Sequence, residues 1–336
     1  MITEIIRQPD EAALMRAGEI LRNGGLVAFP TETVYGLGAN ALDADAAKKI
    51  YAAKGRPSDN PLIIHIAEAR DAERFAYTNE AYYALAERFM PGPLTVILPK
   101  RENIPDAVTG GLDSVAVRVP VHPTANALIR HAGVPIAAPS ANLSGRPSPT
   151  RTDHVVCDMD GRIDMIIGGG DCDVGVESTI ISLVTDLPCV LRPGKITVEE
   201  LCEVLPDVTL SSAVMGKYEG APLSPGMRYK HYSPSATVSI LDGDYKAIVE
   251  FLLAHSEAGK LCFEDDAEII AMPNTLICGS ENDAESQARI LFARLREFDD
   301  RPEIKEIYAR MPKSGGVGLA VFNRLIRAAG FTVITL

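Results

Sequence analysis

The chain has 336 residues, of which 46% are hydrophobic and 23% charged, so it holds enough apolar material for one large folded domain or two. Its 33 basic and 45 acidic side chains give a net charge of −12, which argues against a broad, non-specific nucleic-acid binder. No apolar run approaches the length of a membrane span, the N-terminus lacks a secretory apolar core, and the six cysteines form no CxxC pair, so we expect a cytoplasmic location.

The first part of the chain predicts a mixed α/β sheet. An amphipathic helix ends at Gly24-Gly25, and short apolar runs then alternate with helical periodicities. The predicted helices lie near 44–53 and 80–89, and the predicted strands lie near 26–30, 62–66, 94–98, 115–119, 134–138, 163–167, 178–184 and 189–192. Because strands outnumber helices and follow one another closely, a mixed sheet is favoured over a strictly alternating parallel one.

Residues 206–235 are rich in Pro, Gly and Ser and show no apolar period, which predicts a linker between domains 1–205 and 236–336. The linker carries Arg228, Lys230, His231 and Tyr232. This basic and aromatic cluster favours a functional segment that folds over a neighbouring cleft as a lid, although a solvated tether would have the same composition.

The last hundred residues alternate more regularly and predict a small Rossmann-like α/β domain. Asn282, with Glu285 three residues later, resembles a capping box that opens a helix to about residue 298. The GGVGLA run at 315–320 opens another helix, and it suits either an anion at the helix N-terminus or a tightly packed turn.

Familiar catalytic motifs are absent from the sequence. There is no GxxxxGK[ST] phosphate loop, no HExxH, no GxSxG and no His/Cys cluster with metal-ligand spacing. Any nucleotide chemistry must therefore use an unconventional site, and no metal ligands are assigned.

Several short segments predict a basic cleft inside this acidic first domain. Lys54 and Arg56 precede a proline-containing loop, which suits phosphate or carboxylate binding or an ordinary solvated loop. Arg118 lies in an apolar strand and must pair with an acid or an anionic ligand, and Arg192 ends another predicted strand. Hydroxyls would surround these cations, which suits an anionic polar ligand such as a nucleotide together with an amino acid. The hydroxyls predicted to surround the cations belong to Thr33, Ser140 and Ser178.

These segments together resemble the two-domain YrdC-type threonylcarbamoyl-AMP synthases. The matching runs are FPTETVYGLG, KGRPSDNPL, PGPLTVIL, VAVRVP, APSANLSG, ESTI, LRPG and the linker run SPGMRYKHYSP, and they appear in family order. The resemblance implies a YrdC-like twisted mixed sheet with a concave basic cleft, followed by a Rossmann-like domain. It also implies synthesis of threonylcarbamoyl-AMP and pyrophosphate from L-threonine, bicarbonate and ATP. A separate transferase would then use the product to modify the tRNA adenosine next to the anticodon.

The resemblance further implies site residues. L-Threonine would contact Thr33, His65, Arg118, Ser140 and Ser178. ATP, with its Mg²⁺, would contact Arg56, Asn60, Ser114, Asn142, Thr150, Arg192 and Tyr232. Lys54 and Arg56 would offset the charge that builds at the α-phosphorus, so catalysis would depend on positioning and charge neutralisation. Contact with tRNA would be weak or indirect.

Two other functions stay open. The cleft could belong to an RNA-binding or regulatory YrdC-like module without adenylate synthesis, although the first domain has 27 acidic and only 19 basic side chains. A carbamoyl transferase in metal-cluster maturation would need acylphosphatase and zinc-finger segments, and this sequence has neither.

Overall fold

A computed structural model describes residues 2–214, 216 and 231–336. The predictions made for Arg228 and Lys230 lie outside these residues. Within the described part, no helix is long and apolar enough to cross a membrane.

The described residues form eleven α-helices and sixteen strands, which are numbered here in chain order. The helices are α1 Glu11–Arg22, α2 Ala44–Lys54, α3 Glu80–Phe89, α4 Asp106–Thr109, α5 Pro123–Ala132, α6 Thr152–Met159, α7 Val198–Val204, α8 Tyr245–Ala254, α9 Ala267–Ile270, α10 Ala284–Glu297 and α11 Gly318–Ala328. The strands of the first sheet are β1 Glu4–Ile6, β2 Val27–Phe29, β3 Gly36–Asn40, β4 Ile63–His65, β5 Leu94–Pro99, β6 Ser114–Arg118, β7 Ile136–Ala138, β8 Met165–Ile167, β9 Thr179–Ser182, β10 Cys189–Arg192 and β11 Thr209–Leu210. The strands of the second sheet are β12 Thr237–Asp242, β13 Gly259–Cys262, β14 Thr275–Ile277, β15 Glu306–Arg310 and β16 Val333–Thr335.

The first sheet mixes parallel and antiparallel pairs, in the order β1-β8-β2-β3-β7-β4-β6-β5-β9-β10-β11. Apolar side chains on one side of it form a large cluster with α2, α3 and α7, and those on the other side pack against α1 and α5. His65 and Arg118 end the neighbouring parallel strands β4 and β6, so the register places them side by side.

The second sheet is parallel throughout, in the order β14-β13-β15-β12-β16. Helices α8 and α9 cover one face, and α10 and α11 cover the other. The structure therefore confirms the predicted fold class, a mixed α/β sheet followed by a Rossmann-like α/β domain. The predicted cap of α10 was wrong, because Asp283, not Asn282, accepts the main-chain N–H groups of Glu285 and Ser286.

Local signals explain how the cations of the first domain are placed. The Asp43 side chain caps the N-terminus of α2, and Gly55 ends the helix in the left-handed region at φ 62°. Lys54 is therefore the last residue of the helix, and Arg56 begins the loop that leads to β4. Both side chains are held close to the strand ends where His65 and Arg118 lie.

The two sheets share a hydrophobic cluster. Val34 and Val176, from loops of the first part, pack with Tyr232 and with α10 and α11 of the second part. Gly175 makes this approach close, because a Cβ there would lie 2.4 Å from the Ala288 oxygen and 2.4 Å from the Arg289 Cα. The interface thus fixes the segment that leads directly into β9.

Candidate active site

A cleft of about 690 Å³, its open mouth included, lies beside the ends of β4, β6, β7 and β10. All four cations that the sequence predicted to share a basic cleft line it, namely Lys54, Arg56, Arg118 and Arg192. Among the described lining residues, Glu177 carries the only carboxylate. The excess of positive charge suits an anionic ligand.

Arg118 meets an acid at the base of this cleft. Its Nη2 atom donates to Oε1 of Glu32 at 2.6 Å, and both side chains are buried. The Nε atom of Arg118 and the Oε2 atom of Glu32 have no hydrogen-bond partner. The sequence predicted that Arg118 would pair with an acid or an anionic ligand, and Glu32 is the acid.

His65 is buried next to Arg118 and is held neutral. Its Nδ1 atom lies 3.2 Å from the Ile63 oxygen and 3.3 Å from the Ile136 oxygen, so Nδ1 carries the hydrogen. Burial, reinforced by the positive charge of Arg118, lowers the pKa of His65 to about 3. The remaining nitrogen, Nε2, is therefore a hydrogen-bond acceptor at neutral pH, which suits the hydroxyl of a ligand.

Lys54 binds the loop after β7. Its Nζ atom donates to the main-chain oxygens of Ser140 and Asn142 and lies 3.5 Å from Oδ1 of Asn142. Ser140 also donates its hydroxyl hydrogen to Asn142 Oδ1. Burial, together with the charge of Arg56, lowers the pKa of Lys54 well below its ordinary range. Three acceptors surround the amine, so Lys54 positions this wall of the cleft.

Arg56 and Arg192 retain hydrogen-bonding capacity for a ligand. The Nη2 atom of Arg56 donates to the main-chain oxygens of Asn60 and Pro61, and its Nε atom has no partner. Arg192 donates from Nε to the Ser178 oxygen and from Nη2 to its hydroxyl, at 3.1 and 3.2 Å. Burial lowers the pKa of both guanidinium groups to about 10, so both stay charged at neutral pH.

Tyr232 and His231 close one side of the cleft. Tyr232 is buried although its φ of 65° lies in the left-handed region, which an aromatic residue adopts only when its surroundings fix it. Its ring centroid lies 5.1 Å from that of Phe292 in α10. Burial, with Arg56 nearby, lowers the pKa of His231 to about 3, so this imidazole is also neutral.

Four residues assigned from the resemblance do not line the cleft. Thr33 is fully buried, with its hydroxyl 2.8 Å from that of Thr31, and Asn60 is buried behind Arg56. Ser114 begins β6, whereas the cleft lies at the other end of that strand, at Arg118. Thr150 lines a separate cavity beside Arg289.

Several lining residues were not assigned from the sequence. Thr31 and Tyr35 flank Thr33 in the FPTETVYGLG run, and Glu177 precedes Ser178 in the ESTI run. The Tyr35 hydroxyl donates to the Gly170 oxygen and accepts from the Gly169 N–H, so the ring forms a wall whose far end is anchored. Their presence within the same short runs was the signal that could have identified them.

Comparisons with known proteins agree with this geometry. A family model described as "Telomere recombination" (Sua5_yciO_yrdC) matches residues 19–194, and a model of the threonylcarbamoyl-AMP synthase C-terminal domain matches residues 196–330. The threonylcarbamoyl-AMP synthase of Bacillus subtilis is 45% identical over 97% of this chain and 95% of its own, and that of Pyrococcus abyssi is 45% identical over 99% of both. The crystal structure of P. abyssi Sua5 complexed with L-threonine is 44% identical over the whole of both chains, with a TM-score of 0.91. The resemblance found in the sequence is thus confirmed, and the chain belongs to the Sua5/YciO/YrdC family, in its two-part threonylcarbamoyl-AMP synthase form.

Proposed function

We propose that the cleft joins L-threonine, bicarbonate and ATP into threonylcarbamoyl-AMP, with release of pyrophosphate. The observation that carries the proposal is the convergence of Arg56, Arg118, Arg192 and the neutral His65 on one small cleft. A chain of this family with such a lining can bind an amino acid carboxylate and a triphosphate together. The product would feed a separate transferase that modifies the tRNA adenosine next to the anticodon.

The base of the cleft suits L-threonine. Arg118 keeps guanidinium hydrogens beyond the one given to Glu32, and these can bind the carboxylate. The Nε2 atom of His65 can accept the hydrogen of the threonine hydroxyl, and Ser140 and Ser178 line the same cleft. Thr33 would act through Thr31, to which its hydroxyl is bonded.

The nucleotide would lie between Arg56, Arg192 and Tyr232, with Asn142 beside it. Asn60 would act by orienting Arg56, since its main-chain oxygen accepts from Nη2. The roles of Ser114 and Thr150 rest on the resemblance alone and stay predictions. Contact between the chain and tRNA would be weak or indirect.

The reaction has two bond-forming steps. The threonine amine first adds to the carbon supplied by bicarbonate, which gives a carbamate and water. A carbamate oxygen then attacks the α-phosphorus of ATP, and the bond from that phosphorus to the pyrophosphate oxygen breaks. Arg56 and Arg192 can offset the charge that builds on the phosphate oxygens, while Lys54 holds the opposite wall in place.

Mg²⁺ usually reaches such a site with the phosphates of its nucleotide. The described residues contain no group of three His, Cys, Asp or Glu side chains that could hold a metal ion. Glu177 is bonded to Arg324 and Ser148, and it is the one carboxylate among the described lining residues. Mg²⁺ would therefore be held mainly by the ATP phosphates.

A pyrophosphate-release assay in which each substrate is left out in turn tests the proposal. Release should require ATP, L-threonine and bicarbonate together, and L-serine should be a poorer substrate because it lacks the methyl group. Release that is unchanged without threonine would refute the proposal. Salt-sensitive RNA binding without any turnover would instead support an RNA-binding module.

A further inference from the structure

Helix α11 of the second part of the chain carries three buried polar side chains towards the first part. Asn323, Arg324 and Arg327 are 3%, 0% and 5% exposed. Asn323 donates to the Val214 oxygen and Arg327 to the Ala213 oxygen, so these two hold the chain just after β11. Arg324 has a different partner, Glu177, which lines the cleft.

The Arg324 side chain contacts both the side chain and the main chain of Glu177. Its Nε atom donates to Glu177 Oε2 at 2.8 Å, and its Nη2 atom lies 3.4 Å from the Glu177 main-chain oxygen. The Nη1 atom donates to Asn323 Oδ1 at 3.0 Å. The guanidinium carbon also lies 5.9 Å from the centroid of the Tyr232 ring. Arg324 thus joins α11 to two residues of the cleft lining.

Glu177 connects Arg324 to two walls of the cleft. Its Oε1 atom accepts a hydrogen bond from Ser148, in the loop that follows the lining residues Asn142, Ser144 and Gly145. The next residue along the chain is Ser178, whose hydroxyl meets both Thr95 and Arg192. A shift of Glu177 would therefore move the proposed threonine and nucleotide contacts together.

The neighbouring arginines keep the Glu177 carboxylate ionised, and this linkage requires that ionised form. Burial works to raise its pKa, but Arg324 and Arg192, with the hydrogen bonds from Ser148 and Arg324, hold that pKa below its ordinary value. Glu177 is therefore an ionised acceptor at neutral pH. A buried carboxylate of this kind depends on its cation, because removing one partner leaves the other charge uncompensated.

We propose that Arg324 is a positioning residue for synthesis in the cleft: through Glu177 it fixes Ser148 and Ser178, and this linkage is how the C-terminal domain supports the reaction. The proposal rests on the proposed function of the cleft. A role of Arg324 in holding the two parts together would give the same loss of stability on substitution. The test must therefore measure turnover and ligand binding separately from folding.

The experiment uses the full chain, the single variants Arg324→Gln, Arg324→Lys and Glu177→Gln, and the double variant Arg324→Gln, Glu177→Gln, with Arg310→Gln as the matched control. Arg310 lies in the same C-terminal domain and forms a largely buried ion pair with Asp266, and neither residue is among the described residues that line the cleft. Thermal unfolding ranks the stability of each variant. Pyrophosphate release gives kcat and KM for each substrate at a temperature where all variants are folded, and calorimetry gives threonine and ATP affinities.

Arg324→Gln should lower kcat/KM by about 10-fold to 100-fold, the range expected when reacting groups are misplaced by about 1 Å. Arg310→Gln should lose comparable thermal stability and keep kcat/KM within about threefold of the unaltered chain. The Arg324→Gln, Glu177→Gln double variant should be no slower than the slower single variant, because the two residues act as one unit.

Three results would overturn the inference. The first is normal turnover and normal ligand affinities in folded Arg324→Gln. The second is a loss of kcat/KM in the double variant that equals the product of the two single losses. The third is an equal kinetic defect in Arg310→Gln. If Arg324→Gln does not fold, Arg324→Lys, which keeps the charge without the planar fork, decides by the same criteria. If the unaltered chain shows no threonine-dependent release, the proposed function fails, and the calorimetric affinities of the variants still decide the role of Arg324.

Discussion

The Nη2 atom of Arg118 donates to Oε1 of Glu32 at 2.6 Å, although each side chain carries a second buried polar atom that has no partner. The pair therefore compensates both charges without using all of their hydrogen-bonding capacity. Burying an unpaired arginine would cost folding free energy. Because Glu32 compensates its charge, Arg118 can be buried at the base of the cleft. Glu32 thereby fixes the orientation of the guanidinium to which we assign the threonine carboxylate.

Replacing Arg118 by alanine should weaken threonine binding by about 2–5 kcal/mol, the range for truncating one partner of a buried charge pair. The affinity for ATP should change much less, because Arg56 and Arg192 remain. Lysine should restore little, because it lacks the planar fork. Calorimetry with each ligand checks this, and normal threonine affinity in the alanine variant would refute the assignment.

Glu32→Gln separates the orienting role of Glu32 from the charge of Arg118. The amide oxygen can still accept from Arg118, so the protein should fold, but the buried guanidinium loses its counter-ion. The free energy of unfolding should fall by about 1–3 kcal/mol, the cost of an imperfectly satisfied buried polar group. Threonine affinity should rise, because the ligand carboxylate then supplies the missing counter-ion. Chemical unfolding and calorimetry check this, and a threonine affinity below that of the unaltered chain would contradict it.

Lys54→Met removes the amine that donates to the loop after β7. The main-chain oxygens of Ser140 and Asn142 would then lose a buried partner, which should cost about 1–3 kcal/mol of the free energy of unfolding. If Lys54 mainly positions this wall, KM for both substrates should rise together with the loss of stability. Chemical unfolding and steady-state kinetics check this. A lowered kcat with unchanged KM and stability would instead indicate direct contact with the reacting phosphate.

The placement of the cleft cations could be predicted from the sequence, whereas their partners could not. An arginine inside the apolar run SVAVRVP must be buried, and that argument holds without any fold. That its partner is Glu32, 86 residues earlier in the chain, depends on how β2, β4 and β6 are ordered in the sheet. Likewise, nothing near Glu177 in sequence indicates that Arg324 will neutralise it.

The helices show the same division between local and distant signals. Helices α2 and α3 were predicted from helical periodicity, and in the structure a side-chain cap opens each of them, Asp43 for α2 and Asn79 for α3. Helices α5 and α6 were missed, since neither His122 nor Arg151 caps with its side chain, and tertiary packing stabilises both elements. Helix α7 was missed despite a capping box formed by Thr197 and Glu200.

Acid should destabilise the protein through His65 and His231. The pKa of each is lowered to about 3 in the folded state by burial, whereas an unfolded histidine titrates near its ordinary value of 6.5. The unfolded chain therefore binds more protons below about pH 6.5, and stability is full above that pH and falls as pH drops towards 3. At pH 5, each of the two histidines should lower the free energy of unfolding by about 2 kcal/mol relative to its value above pH 6.5.

Chemical unfolding at pH 8 and pH 5 measures this effect. His65→Gln should reduce the difference in unfolding free energy between the two pH values by about 2 kcal/mol, whatever its effect at pH 8 alone. A difference equal to that of the unaltered chain would show that His65 is not held neutral. The same neutrality predicts that KM for threonine has no inflection from His65 between pH 6 and pH 8.

The last prediction concerns the segment 206–235, which contributes His231 and Tyr232 to the cleft. Strand β11 pairs with β10, so a shortened chain should end at residue 214 rather than at 205. This chain should fold, because the two clusters around the first sheet draw on residues before 209. It should still bind threonine through Arg118 and His65. It should lose most ATP affinity and most synthesis, since Tyr232, His231 and Arg324 are gone.

Tyr232→Ala should show a milder form of the same defect, about a tenfold loss in ATP affinity or about 1.4 kcal/mol. Limited proteolysis gives an independent measurement, because cleavage within 206–235 should slow when ATP and threonine are both present. Such protection would indicate closure over the ligands, which excludes water from a labile carbamate and adenylate. If the shortened chain turns over at the full rate, or if the ligands leave the segment equally cleavable, it is a tether and not a lid.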